Sequence, residues 1–113
     1  MEEIKMDEEK YLPAFQMIMN AGNSRSKSME ALEAARNYDF ELARVCLKEA
    51  EDELHQAHEA QTEMISAEAG GNAVEVNIIL VHSQDHLTMA MMARDFAEEM
   101  IHVYEAMKEL KGE

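Results

Sequence analysis

The sequence predicts an all-α protein, an antiparallel up-down-up bundle of three helices. Hydrophobic residues make up 47% of the 113 residues and recur with a helical period, and helix breakers divide the chain into three long segments. Residues 74–81 alone have a strand-like composition, and no second such segment exists to pair with them. Because the connections are short, neighbouring helices are antiparallel. The length predicts a single domain over residues 1–113.

Helix 1 is predicted over residues 12–36, after an acidic lead-in of residues 1 to about 10 that we expect to fray. Pro13 fits the first turn, where backbone N–H groups have no helical partner. Residues 21–24 read Ala-Gly-Asn-Ser and have weak helix propensity. We expect the helix to continue through them, because small side chains let two backbones approach closely.

Helices 2 and 3 have clear boundary signals. Helix 2 is predicted over residues 40–69, because Asp39 is a good N-cap and Gly70-Gly71 is a strong C-terminal signal. Helix 3 is predicted over residues 76–110, with its start near Val76 or Asn77. With aromatic residues at 5%, the core is expected to consist of Leu, Ile, Val, Ala and Met. Methionine adapts to irregular gaps, which suits the packing of helix on helix.

The charge excludes several function classes. Ten basic and 24 acidic residues give a formal net charge of −14, which repels nucleic acid and anionic lipid. Apolar runs such as residues 78–81 are far too short for membrane insertion, and the acidic N-terminal segment has no signal-peptide core. A single cysteine, Cys46, cannot form an intramolecular disulfide. We therefore expect a cytoplasmic protein.

Helix 3 has two apolar faces. One stripe on a helical wheel contains Ile78, Val81, Met89, Met92, Phe96, Val103, Met107 and Leu110, and a second contains Ile79, Leu87, Ala90, Ala97 and Ile101. A helix that is apolar on two sides must be buried on both. Either helices 1 and 2 wrap helix 3 completely, or helix 3 lies at the centre of an oligomer. We favour self-association.

Asp85 lies in the middle of the first stripe, one turn from Val81 and from Met89, with no Lys or Arg three or four positions away. A carboxylate in an apolar interface is costly unless it is protonated, paired or bound to a cation. Around a symmetry axis, copies of Asp85 can share a cation or protons. The alternative is an ordinary solvated charge in a wet groove.

His82 and His86 are the strongest candidates for a reactive site. They are one turn apart on helix 3 and border the apolar stripe, on a different flank from Gln84. The basic nitrogen of a partly buried, neutral imidazole is a nucleophile that can accept a phosphoryl group. Two alternatives remain open at this point, a metal site completed by Asp85 and a pair of interface histidines.

The other histidines are less persuasive. His55 and His58 share a face of helix 2, but no third metal ligand is specified, so a solvated polar face is the preferred interpretation. Glu99 and His102 form one E-x-x-H unit, of which di-iron bundles need two. The sequence contains no P-loop and no nucleophilic triad, which argues against a nucleotide enzyme or a hydrolase.

At residues 76–87 the sequence resembles a known family. The segment Val-Asn-Ile-Ile-Leu-Val-His-Ser-Gln-Asp-His-Leu is similar to the V-H-x-Q-D-H-L signature of the lactose/cellobiose-type enzyme IIA proteins of the bacterial phosphoenolpyruvate-dependent sugar phosphotransferase system. The resemblance extends from about Tyr11 to Leu110. It includes five supporting blocks: residues 21–27, residues 30–35, Asp39-Phe40, Ala57-His58 and Gln61-Thr62. Family members usually have Leu-Met-Thr where this chain has Leu-Thr-Met at residues 87–89.

The resemblance implies a three-helix subunit that assembles as a nine-helix homotrimer. It implies that His82 takes a phosphoryl group on Nε2 from phospho-HPr and passes it to a cysteine of enzyme IIB, which phosphorylates the incoming sugar. Asp85 matches the aspartate that meets its two symmetry mates at the trimer axis around a divalent cation, Mg²⁺. Gln84 and His86 match motif positions near the active histidine, and His86 is assigned a supporting role at the phosphoryl group.

The leading hypothesis is a phosphocarrier, a phosphotransferase component in the uptake of a β-linked disaccharide such as lactose, cellobiose or chitobiose. One alternative is a metal-binding or structural helical oligomer with His82, Asp85 and His86 as ligands. Another is the histidine phosphotransfer domain of two-component signalling. That family generally has Lys three residues after its histidine, where this chain has Asp85.

Overall fold

The computed structural model describes residues 8–112, and the side chains from residue 10 onward. These residues form three helices, α1 (Glu8–Arg36), α2 (Phe40–Ala69) and α3 (Ile78–Leu110), and include no strand. The predicted all-α class is confirmed. No helix within residues 8–112 is long and apolar enough to cross a bilayer.

Side-chain contacts give the direction of each helix. Asn20 contacts Glu53, and further along α1 Lys27 contacts Glu49, so α2 runs antiparallel to α1. Gln61 contacts Gln84, and nearer the start of α2 Arg44 contacts Glu105, so α3 runs antiparallel to α2. The up-down-up order follows. α1 packs extensively against both other helices, whereas α2 and α3 share a smaller contact.

The start of α1 differs from the prediction. The helix begins at Glu8 rather than Leu12, so Pro13 lies in its second turn and residues 8–10 are not part of a frayed lead-in. Lys10 forms an ion pair with Glu75 of the α2–α3 connection, a tertiary contact that local signals do not reveal. Residues 1–7, the rest of the predicted lead-in, lie outside the described residues.

Both caps that begin the later helices are side-chain caps. Asp39 accepts a hydrogen bond from the Leu42 backbone N–H at 3.1 Å, which confirms it as the N-cap of α2. Asn77 accepts one from the Leu80 N–H at 2.9 Å. α3 therefore starts at Ile78, one residue after Asn77 and two after Val76, the two predicted starts, because Asn77 is the cap and not the first helical residue.

The two interhelix connections use the same hydrogen-bonding motif with different residues. At the end of α2, Gly71 has a φ of 91°, and the backbone bonds Gly71 N–H to Glu68 C=O and Asn72 N–H to Ala67 C=O close a Schellman motif. At the end of α1 the equivalent left-handed position is Tyr38, with a φ of 61°. The Tyr38 ring lies 5.9 Å from the ring of Phe40, a contact that offsets part of the backbone cost.

The core is built mainly from alanine. The second stripe of α3 faces it as predicted, with Leu87, Ala90, Ala97 and Ile101 all buried. Valine contributes no buried side chain within residues 10–112, and of the methionines in that range only Met17 is fully buried. The predicted core composition therefore holds for Ala, Leu, Ile and Met17 but not for valine. Alanine allows helices this long to approach closely along their whole length.

Residues 21–24 continue α1 without a break, as predicted, but they do not all lie at a close approach. Ala21 and Ser24 are buried, and the Ser24 hydroxyl donates to the Ala50 carbonyl at 2.8 Å. A Cβ built on Gly22 meets nothing within 4 Å, so this glycine faces open space in the single chain.

Ser28 is the one buried side chain within residues 10–112 whose polar atom lacks a hydrogen-bond partner. A buried hydroxyl without a partner costs about 1–3 kcal/mol. We therefore expect Ser28→Ala to raise the free energy of unfolding by about 1 kcal/mol, measured by urea denaturation. Ser24→Ala is the matched control, since it removes the bond to Ala50 and should lower stability. Equal effects of the two substitutions would contradict this assignment.

Candidate functional site

His82 and His86 meet at the first turns of α3. Their Nε2 atoms are 3.0 Å apart, and the rings are nearly perpendicular, with centroids 4.3 Å apart and an interplanar angle of 85°. His82 is exposed and His86 is half-buried in the single chain. The one-turn spacing on a regular helix produces this convergence. The expectation of a partly buried reactive histidine holds for His86 but not for His82 within one chain.

At 3.0 Å the two Nε2 atoms are within hydrogen-bonding distance, and the direction of that bond depends on the tautomers of the two rings. A hydrogen bond between two imidazole nitrogens requires one N–H and one lone pair. If His86 donates from Nε2, then Nε2 of His82 is unprotonated and its proton is on Nδ1. That tautomer gives His82 a nucleophilic nitrogen directed toward a neighbouring donor.

Gln84 is close to the histidines in sequence but faces the other side of the helix. Its side-chain carbonyl accepts a hydrogen bond from Gln61 Nε2 at 2.8 Å, and its amide contacts the sulfur atoms of Met17 and Met64 at 3.7 and 3.9 Å. Gln84 thus ties the reactive turn of α3 to α1 and α2. Gln61 therefore supports the site through its contact with Gln84. Helical periodicity alone does not identify this residue, although it lies in one of the blocks of the family resemblance.

Asp85 is exposed in the single chain, within a fully exposed apolar stripe. No group among the described residues donates to its carboxylate in a hydrogen bond or ion pair. The eight apolar members of the stripe are each exposed by 40% or more, and they are Ile78, Val81, Met89, Met92, Phe96, Val103, Met107 and Leu110. Helices 1 and 2 therefore do not wrap this face of α3, and the stripe is unpartnered in one chain.

The remaining titratable candidates stay apart from this site. His55 pairs with Glu59 at 3.0 Å, and His102 lies 3.5 Å from Glu105, all on solvent-facing helix surfaces. Within residues 8–112 no three His, Cys, Asp or Glu side chains converge in an arrangement that could hold a metal ion. The alternative in which His82, Asp85 and His86 together bind a metal has no such site within one chain.

Cys46 is not a competing nucleophile. It is a buried free cysteine in the alanine-rich cluster near the far end of the bundle from the histidines. Burial, together with nearby carboxylates, raises the pKa of its thiol, which disfavours the reactive thiolate. Nucleophilic chemistry on this chain therefore points to the histidine pair.

The chain matches a known protein family along most of its length. The lactose/cellobiose-specific IIA subunit family of the phosphotransferase system matches residues 13–105. The lichenan-specific phosphotransferase enzyme IIA component of Bacillus subtilis is 47% identical over 107 residues, which cover 95% of this chain and 97% of the relative.

Solved structures give the same result. The cellobiose-specific enzyme IIA of Bacillus anthracis superposes with a TM-score of 0.86 at 35% identity, covering 93% of this chain and 94% of that one. The IIA(chitobiose) in its HPr complex from the Escherichia coli phosphotransferase system has a TM-score of 0.76 at 33% identity, covering 88% and 96%. The His82–His86 turn lies inside the matched region, and the chain belongs to the lactose/cellobiose-specific IIA subunits of the sugar phosphotransferase system.

Proposed function

We propose that this chain is the phosphocarrier that accepts a phosphoryl group from phospho-HPr on His82 Nε2 and passes it to a cysteine of enzyme IIB. The observation that carries the proposal is the convergence of two imidazoles 3.0 Å apart on an exposed helical turn. Family membership supports the phosphotransferase class, and a related IIA is known in complex with HPr. We also propose that this chain acts in the cytoplasm.

The chemistry requires little from the protein beyond position and hydrogen-bond donors. The lone pair of His82 Nε2 attacks phosphorus in line with the donor nitrogen of HPr, and the phosphorus–nitrogen bond to HPr breaks as the new one forms. The electron pair of the broken bond stays on the HPr nitrogen. Transfer onward to the enzyme IIB thiolate repeats the exchange with sulfur as the nucleophile.

His86 is well placed to assist each transfer. While His82 is free, the Nε2–H of His86 can donate to the His82 lone pair across 3.0 Å. When that nitrogen forms its bond to phosphorus, the same N–H is released to donate to a phosphoryl oxygen. The phosphoryl group adds about two negative charges to a chain that already has a net charge of −14, so nearby donors matter.

We further propose that three chains assemble with their α3 stripes around one axis, as a nine-helix homotrimer. The stripe is exposed along nearly the full length of α3, and a contiguous apolar face of this extent is typical of an interface. In that arrangement the three copies of Asp85 would meet at the axis, in apolar surroundings and without a basic partner. A carboxylate set suits Mg²⁺, which prefers oxygen ligands.

A divalent cation at the axis would compensate the three converging charges. Asp85 is the residue of this chain that would hold it, and its carboxylate fits that role because no described group of the same chain neutralises it. The cation has no part in the transfer at His82. Its effect is on assembly.

The relatives support a proposal for the substrate class. The similar proteins are described as specific for lichenan, cellobiose and chitobiose, all of them β-linked glycans or disaccharides. We propose that this chain serves uptake of a sugar of the same β-linked class. The sugar itself contacts the membrane component, so this chain need not distinguish among them.

Reconstitution tests the function directly. We expect the chain to become phosphorylated when it is incubated with phosphoenolpyruvate, enzyme I and HPr, and not when HPr is omitted. Phosphate incorporation is measured by a mass increase of the intact protein at neutral pH and its loss on acid treatment, because phosphohistidine is acid-labile. Phosphorylation by a response regulator with no uptake from HPr would instead support the two-component alternative.

A further inference from the structure

We propose that His82 and His86 form a two-histidine site for a divalent transition-metal cation, and that occupation of this site blocks phosphoryl transfer. The claim that a bound metal blocks transfer rests on the proposed function, whereas the claim that the metal binds does not. Two histidines one turn apart on a helix are a recurrent metal-binding pair. In this chain the two Nε2 atoms already lie 3.0 Å apart.

The distance between the nitrogens fits a chelate with little movement. Zinc–imidazole bonds are about 2.0–2.1 Å long, so two Nε2 atoms at 3.0 Å would subtend an angle of about 94° at the metal. That value lies between the cis angle of an octahedral or square-planar site, about 90°, and the tetrahedral angle of about 109°. An opening of the pair by about 0.3 Å reaches tetrahedral geometry.

The chemistry of the pair selects the class of cation. Neutral imidazole suits Zn²⁺, Cu²⁺ and Ni²⁺, whereas Mg²⁺ prefers oxygen ligands. Binding displaces the Nε2 proton that the two rings share, and that ring takes up a proton on Nδ1 from water, so both rings remain neutral. The coordination positions of the metal that the histidines do not fill are open to water, since His82 is exposed.

Three features of the structure distinguish the His82–His86 pair from a structural metal site, from the proposed axial site and from the pair of histidines on α2. No third His, Cys, Asp or Glu joins the pair within residues 8–112, so we expect exchangeable binding rather than a structural metal. Asp85 lies on the apolar stripe and belongs to the proposed axial site. His55 and His58 share a helix face, but His55 pairs with Glu59 at 3.0 Å and no hydrogen bond joins it to His58.

Occupation of the site would remove the nucleophile. The lone pair on His82 Nε2 is the electron pair that attacks phosphorus, and a bound cation uses that same pair. Phosphorylation of His82 excludes the metal for the same reason, so the two ligands compete. The site would make sugar uptake sensitive to an excess of free transition metal.

Zinc binding to the full-length chain is measured by competition with a chromophoric zinc indicator, with ZnCl₂ as the probe. We expect one Zn²⁺ per chain, with affinity reduced at least tenfold by His86→Gln and by His82→Gln. The double variant His55→Gln/His58→Gln and the variant Asp85→Leu should each bind within twofold of wild type, and a large excess of Mg²⁺ should not displace Zn²⁺. Unchanged affinity in His86→Gln, or loss of binding in the His55/His58 double variant, would overturn the site.

Inhibition of phosphoryl transfer by bound zinc is tested in a single-turnover assay with purified phospho-HPr. Zinc at saturation should slow phosphorylation of the wild-type chain and of the His55→Gln/His58→Gln variant at least tenfold. In His86→Gln the same zinc concentration should slow transfer less than threefold relative to that variant without zinc. Equal inhibition of all three proteins would overturn the blocking mechanism. Failure of the wild type to take phosphate without zinc would instead refute the proposed function and leave the binding result standing.

Discussion

His82→Gln is expected to lower the rate of phosphoryl transfer from phospho-HPr on the order of 10³-fold or more, because it removes the nucleophile. Glutamine retains a polar side chain that can still meet His86, but its amide nitrogen has no available lone pair. His82 is exposed, so the fold should be unaffected, which circular dichroism and thermal melting can verify. The measurement is single-turnover phosphorylation, with the modified peptide identified by mass spectrometry.

Two matched variants sharpen that result. His86→Gln keeps the nucleophile and removes the neighbouring donor, so we expect an intermediate loss of about 10²-fold, the order of magnitude for removal of one transition-state hydrogen bond. His58→Gln alters an exposed histidine on α2, outside the site, and should transfer at the wild-type rate. Phosphorylation that persists in His82→Gln at the wild-type rate would refute the assignment of the acceptor.

Much of the fold follows from local signals in the sequence. Asp39 and Gly70-Gly71 place the boundaries of α2, because a cap and a left-handed glycine act within a few residues. The two stripes of α3 separate correctly into the face that packs within the chain and the face that does not. The start of α1 is predicted four residues late, and the first turn that the prediction misses includes Lys10, which pairs with Glu75, about 65 positions away along the chain, a contact that local signals do not show.

The candidate site is predictable in its residues but not in its contacts. Helical spacing places His82 and His86 on one side of α3, and only side-chain rotamers bring their Nε2 atoms to 3.0 Å. Gln84 stands between them in sequence and yet binds Gln61 on the opposite flank, a pairing that depends on how α2 and α3 are aligned. Composition likewise predicts an apolar core, but it does not reveal that alanine occupies the close contacts while most methionines of residues 10–112 remain exposed.

The proposed assembly predicts opposite outcomes for two charge changes on one stripe. Phe96→Asp should dissociate the trimer, because it loses roughly 2–3 kcal/mol of apolar burial per chain and places a new carboxylate in the interface. Asp85→Leu removes a carboxylate from the same stripe and should leave the trimer intact with equal or higher thermal stability. Sedimentation velocity distinguishes monomer from trimer in each case.

Met91→Asp is the control for Phe96→Asp. Met91 is also an exposed apolar residue of α3, at 37% against 61% for Phe96, but it lies off the stripe, so its replacement should preserve the trimer. The proposed axial cation gives a second test of the assembly, because Mg²⁺ should raise the melting temperature of the wild type and not that of Asp85→Leu. A monomeric wild type that remains monomeric as Asp85→Leu would refute the axial placement of α3. It would leave the apolar stripe as a docking surface for a different protein.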